Sequence, residues 1–259
     1  MKNIEHKEYY SVKILQLNAW GGRIKNGLSG FIADGGYDVV CLQEAIWSDR
    51  DEIVRFFVDT VDMIAEAGGF PYVYRSSSYG VKLLSGDMQY ERGNVILSKI
   101  PFAVTEEAVV SGEYFVLKEA AGWGYYRDKN YSYVAQKAVL ENGLTIVNHH
   151  GYWDKNPLGN ENSVKCMQKV AEFIKKDLQP TVMCGDLNVI PEAPAMRALD
   201  FMEDLTVTNR VKTTLRNLRF KADVPCDHIL ITEGIKALNF QVIDAPVSDH
   251  MGLSVEVGE

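Results

Sequence analysis

The chain is predicted to be an α/β protein with stacked, mixed β-sheets. Three observations predict it: many short apolar runs, two stretches of helical spacing between them, and a hairpin signal joining two of the runs. Runs rich in valine, isoleucine and leucine near 12–18, 38–43, 93–98, 132–140, 143–149, 181–185, 228–232 and 252–257 have the length and bounding residues of strands. So many strands imply sheets packed on one another. Helical spacing occurs at about 50–67, where Ile53, Val54, Phe57, Val61 and Ile64 recur three or four residues apart, and again at about 161–177. Gly68 and Gly69 before Pro71 end the first helix, since glycine accepts the closing left-handed turn and proline cannot continue it. Glu141-Asn142-Gly143 reads as a hairpin turn, because Asn-Gly favours positive backbone angles. No repeat or low-complexity segment interrupts the pattern.

With 259 residues the chain can bury a substantial core. Polar strand ends run from position 18 to position 250, so a site built from them needs the whole chain, 1–259, folded as one domain. The net charge of -8, with no lysine or arginine run, excludes a surface that attracts polyanions as a whole, though not a local basic groove. Cys41, Cys166, Cys184 and Cys226 lack paired metal spacing, and two of them sit inside apolar runs as small buried thiols. The charged N-terminus lacks an apolar leader segment, and no stretch has the roughly 18 apolar residues of a membrane span. The expectation is a cytoplasmic protein with reduced thiols.

The most informative segment is Val182 to Val189, VMCGDLNV, where an apolar run stops at a glycine and then presents Asp186 and Asn188. Two residues apart, such side chains would point the same way off a strand end. A carboxylate beside a carboxamide can hold a water or metal and also donate to an anionic oxygen, as attack on a phosphoester requires. Similar punctuation marks the ends of other runs: Leu17-Asn18, Gln43-Glu44, Asn148-His149-His150, Asp227-His228 and Asp249-His250.

If Glu44, Asp186, Asp227 and Asp249 converge, pairs about 4 Å apart would repel by about 4 kcal/mol at an effective dielectric near 20. A positive partner is therefore required. Magnesium suits one or two carboxylates plus substrate phosphate, with manganese as a substitute. Zinc is disfavoured, since the histidines lack a close pair and the cysteines are unpaired. Of His149 and His150, only one should face a given cleft, because neighbours on a strand alternate.

The aromatic stretch 111–133, with Trp123 and Tyr125 among its members, either stacks on a base or sugar or packs on its own domain. Arg75, Lys82, Arg92, Arg127, Lys129 and Lys155 either line a groove for phosphates or are solvated surface charges.

Taken together, Leu-Asn18, Leu-Gln-Glu44, the Arg92 to Pro101 segment RGNVILSKIP, Val-Asn-His-His150, Gly-Asp186-Leu-Asn188, Cys-Asp227-His-Ile-Leu and Ser-Asp249-His250 resemble the endonuclease/exonuclease/phosphatase superfamily. The likeness spans essentially the whole chain. It implies a four-layer α/β sandwich with two central mixed β-sheets flanked by helices, and a site at the top of the strands. It further implies that Glu44 binds magnesium with Asn18 and Asp249 nearby, that Asp186 orients and deprotonates water, and that Asn188 bonds a phosphate oxygen. His250, oriented by Asp227, would stabilise the phosphorane or act as base; His150 would contact phosphate or assist the leaving group. The implied activity is phosphodiester hydrolysis on DNA, RNA or a nucleotide-like substrate. Phosphomonoesters, phospholipids and inositol phosphates are the alternative substrates within the superfamily, and a non-catalytic binding module that retains the fold is the alternative of another class. No protein partner is indicated. Two departures stand out: Trp20 sits where abasic-site endonucleases carry an acid, and His149 and Gly151 flank His150 where threonine and a larger residue are usual.

Overall fold

The computed structural model describes residues 11–24, 27–50, 54–55, 58–83, 89–118, 130–216 and 224–258. Numbered in chain order, seven strands form one sheet in the order β12 (Lys236–Ile243), β13 (Gly252–Gly258), β1 (Val12–Asn18), β2 (Val39–Trp47), β4 (Gln89–Ser98), β3 (Tyr72–Lys82), β6 (Val116–Lys118). Six form the other, in the order β10 (Met202–Asp204), β11 (Asp227–Thr232), β9 (Thr181–Asp186), β8 (Thr145–His149), β7 (Tyr133–Leu140), β5 (Phe102–Ser111). Both sheets are mixed: β1 pairs β2 in parallel and β13 antiparallel, while β9 pairs β8 in parallel and β11 antiparallel.

The inner strands are apolar on both faces, as strands covered from both sides must be. In β1, Val12 and Ile14 point to a core shared with Ile146, Val182 and Ile229 of the other sheet, while Leu15 and Leu17 point outward. On that outer face lie α1 (Leu28–Asp34) and α2 (Val61–Gly68), contributing Leu28, Ile32, Val61 and Ile64. The second sheet's outer face packs on α3 (Glu161–Lys175) through Cys166, Met167, Val170 and Ile174. The layers are therefore helix, sheet, sheet, helix, as expected. A short α4 (Leu205–Thr208) follows β10. No helix among the described residues is long and apolar enough to cross a membrane. All four cysteines are buried and unpaired.

All eight expected strands are present. β2 and β4 extend further than their apolar runs: β2 continues past Gln43 and Glu44 through Ala45, Ile46 and Trp47, and β4 begins with the largely polar stretch Gln89 to Arg92. Of the helix expected at 50–67, Val54 is helical, residues 51–53 and 56–57 lie outside the described residues, and α2 starts at Val61. Its start has a local cause. The Asp59 carboxylate accepts from Leu28 N (3.0 Å) and Ser29 Oγ (3.1 Å), and extended Thr60 caps Met63 N at 3.4 Å. At the β7–β8 hairpin, of Asn142 and Gly143 only Gly143 takes a positive φ, 92°, as in a turn closed by a glycine bulge.

Candidate active site

β1, β2, β8 and β9 deliver their C-terminal ends to one edge of the sandwich. β11 and β13 run antiparallel to their neighbours, so their starts reach the same edge. That topology places Asn18, Glu44, His150, Asp186, Asp227, Asp249 and His250 around one mouth. Glu44 reaches it through a β-bulge: the register of β2 on β4 shifts between Leu42 and Ala45, and Glu44 takes a left-handed φ of 54°. Asn188 is also left-handed (φ 56°), so it sits on a tight turn rather than on the strand that carries Asp186. This turn fits against the segment after β8 only because both contacts are glycines. A Cβ on Gly151 would lie 2.1 Å from Leu187 O, and one on Gly185 would lie 2.1 Å from His149 O.

Asp186 is at the centre. Its Oδ2 accepts from Asn18 Nδ2 at 2.9 Å and faces His150 Nε2 at 3.6 Å and His250 Nε2 at 3.8 Å. Its Oδ1 accepts from the backbone N of Asn188 at 3.0 Å. Asn188 Nδ2 donates to Gly151 O at 3.0 Å, leaving its second hydrogen and its Oδ1 for other partners. Behind this cluster a chain of buried carboxamides crosses between the sheets. Gln16 Nε2 contacts Asp227 Oδ1 (3.0 Å) and Gln43 Oε1 (2.9 Å), Gln43 Nε2 donates to Asn148 Oδ1 (2.7 Å), and Asn148 Nδ2 reaches Gln136 Oε1 (3.1 Å). Gln43 and Asn148 stand in the polar strand-end motifs of the sequence, but nothing in the pattern assigned them, or Gln16 and Gln136, to a bridge between the sheets.

The two site histidines are driven apart. Burial disfavours charge on both, and at His250 the carboxylates of Asp227 and Asp186 overcome it and hold the imidazole well above its usual range. His250 Nδ1 donates to Asp227 Oδ2 at 2.8 Å, and the same pairing, working against burial, holds the Asp227 carboxyl below its usual range. At His150 burial wins: nearby Asp186 opposes it, Arg92 and His250 add to it, and the ring is pushed down. Burial also raises Asp249. Opposed environments of this kind separate a charged donor from a neutral imidazole.

The donor set suits a divalent cation. Glu44 Oε1 and Asp186 Oδ2 lie 4.0 and 3.6 Å from His150 Nε2, so hard oxygens from the two sheets gather about one imidazole. A second cluster, Asp186, Cys226, Asp227 and His250, keeps its donor atoms within 4.8 Å of one another, but Asp227 there is committed to His250 and Gln16. The proximity of Cys226 was not expected.

Arg92 lies inside the site, paired with Glu44. Arg75 pairs with Asp62 on α2 instead. Trp123, Tyr125, Arg127 and Lys129 lie outside the described residues. The aromatics that flank them pack on their own domain: Tyr79–Tyr131, Tyr131–Tyr133 and Tyr133–Tyr152 ring centroids are 5.4, 4.6 and 5.0 Å apart. His149, as alternation requires, turns inward, its Nδ1 donating to Val134 O at 3.0 Å.

The model of the endonuclease/exonuclease/phosphatase family matches residues 15–250. No curated protein sequence matches the chain. A family protein from Leptotrichia buccalis shares the fold at 18% identity, TM-score 0.66, over 96% of this chain and 100% of that one. The mannosyl-6-phosphatase Bt3783 of Bacteroides thetaiotaomicron does so at 14% identity, TM-score 0.63, over 96% and 100%. The human Nocturnin catalytic domain with bound sulfate anion matches at 12% identity, TM-score 0.63, over 96% and 93%.

Proposed function

Because the chain belongs to the endonuclease/exonuclease/phosphatase family, a family of phosphoester hydrolases, we propose that it is a magnesium-dependent phosphodiesterase acting on nucleic acid or a nucleotide-like diester. The observation that carries this reading is the placement of Asp186, a carboxylate held by Asn18 and faced by two imidazoles of opposite tendency. Asp186 accepts the proton of the attacking water, and Asn18 fixes the oxygen pair that does so. His250, kept charged by Asp227, donates to a nonbridging oxygen as charge develops there, which assigns it the donor's role rather than the base's. His150, neutral, contacts the phosphate or the leaving oxygen, and the free hydrogen of Asn188 bonds a phosphate oxygen. Glu44 would hold the cation, with Asn18 and Asp249 nearby; bound Mg2+, or Mn2+ in its place, supplies charge to the nonbridging oxygens.

A diester suits the charge inventory. Four carboxylates surround the mouth against Arg92 and His250, which favours a singly charged diester over a dianionic monoester. The phosphomonoester reading is supported by the likeness to the mannosyl-6-phosphatase along that protein's whole length. We take 1–259 as a single catalytic unit, and the four unpaired thiols support a cytoplasmic, reducing location.

The test is a pair of variants. Asp186→Asn should keep magnesium binding while turnover drops by a factor of about 100 to 10,000, the usual range for losing a general base. Glu44→Gln should weaken magnesium binding itself. Retained turnover in Asp186→Asn would overturn the assignment.

A further inference from the structure

Arg92 enters the site from β4, the strand paired with β2, and its guanidinium is bound to Glu44, the carboxylate given the cation above. The pair is largely enclosed, with 12% of the Arg92 and 24% of the Glu44 side chain exposed. Glu44 is fixed by its bulge and left-handed backbone, so it cannot withdraw from Arg92 by sliding along the strand. Its other oxygen, Oε1, faces His150 at 4.0 Å. A guanidinium and a divalent cation on one carboxylate repel each other, and enclosure leaves that repulsion poorly screened. A phosphate resolves the conflict, because its oxygens accept the same forked donors that a carboxylate does.

We infer that Arg92 couples cation uptake to phosphate binding: without phosphate it holds Glu44 against the cation, and with phosphate it transfers to the anion and leaves Glu44 to the metal. Arg92 is thus a positioning residue for the metal and a contact for the substrate. The inference rests on the reading of Glu44 above. Linkage makes the effect reciprocal, so the cation tightens phosphate by the same factor.

The experiment is titration calorimetry of the whole protein with Mg2+ at fixed ionic strength, with and without inorganic phosphate, correcting for magnesium phosphate in solution. Phosphate should tighten Mg2+ by about fivefold or more in the wild type, within the ordinary range of coupling. Arg92→Gln should bind Mg2+ alone several-fold more tightly than the wild type, and phosphate should then change its affinity by less than about twofold. Arg92→Lys, which keeps the charge and loses the fork, should stay weak for Mg2+ alone and retain only part of the coupling. Equal or weaker Mg2+ affinity in a folded Arg92→Gln, or a wild-type affinity indifferent to phosphate, overturns the inference; the second result needs no variant to fold. Glu44→Gln separates the two failures. If it leaves Mg2+ binding intact, the assignment of Glu44 fails; if it abolishes binding while Arg92→Gln changes nothing, the coupling alone fails.

Discussion

His149 and His150 are neighbours in sequence and opposites in chemistry. Strand alternation sends His150 to the mouth and His149 into the interior, where it is fully buried, donates from Nδ1 to Val134 O, and leaves Nε2 without a partner among the described residues. Burial pushes its pKa down from 6.5 to about 4. Between those values the unfolded chain binds a proton that the folded one refuses, so this residue's contribution to stability is complete above pH 6.5 and lost as pH falls toward 4. The shift corresponds to a term on the order of 3 kcal/mol. His149→Gln, which keeps a donor for Val134 O and does not titrate, should therefore show a shallower loss of melting temperature with acid than the wild type across that window. Parallel acid profiles would contradict the assignment. The inward turn of one histidine was readable from alternation alone; its missing second partner was not, because that depends on which strands happen to cover it.

At the scale of elements, the site is a set of strand ends held by turns. The turn at Asp186, Leu187 and Asn188 lies against the segment after β8, where Gly151 N donates to Asp186 O at 2.8 Å. A methyl group on Gly151 would meet backbone atoms of Leu187 at 2.1 and 2.5 Å, and backbone cannot rotate aside. Gly151→Ala should therefore lower stability by about 1–3 kcal/mol and, by shifting Asp186, reduce turnover by more than the loss of folded protein explains. Thermal melting beside kcat measures both; an unchanged kcat would show that the turn tolerates displacement. The sequence marked Gly151 only as a departure from the family pattern. The ends carrying Asn18, Asp186 and Asp227 were legible because Asn18 and Asp186 close a buried apolar run and Asp227 opens one. β5 and β12 were not, since they are edge strands with half or more of their residues exposed, and β12 is further interrupted by a bulge at Asn239. β3 escaped notice for the opposite reason: Ser76 and Ser78 are buried polar residues where an apolar alternation was sought.

At the scale of the molecule, neither sheet holds the chemistry by itself. Asn18, Glu44, Asp249 and His250 come from the sheet of β1 or the segment entering it, while His150, Asp186 and Asp227 come from or adjoin that of β9. The apolar core between the sheets brings the halves together, and the carboxamide chain from Gln16 through Gln43 to Asn148 and Gln136 fixes their relative height. Removing one member would strand buried partners, at about 1–3 kcal/mol each. The layered architecture was legible because many apolar runs need several faces to cover them. The convergence itself followed from the order of polar strand ends, whereas the Arg92–Glu44 pair depends on a bulge that local sequence does not announce. The most direct test is the release of nitrophenol from bis(p-nitrophenyl) phosphate and from p-nitrophenyl phosphate, with Mg2+ and with EDTA. The predicted result is Mg2+-dependent hydrolysis that favours the diester and is lost in Asp186→Asn. Hydrolysis of the monoester alone, or diester hydrolysis that survives EDTA, would contradict it.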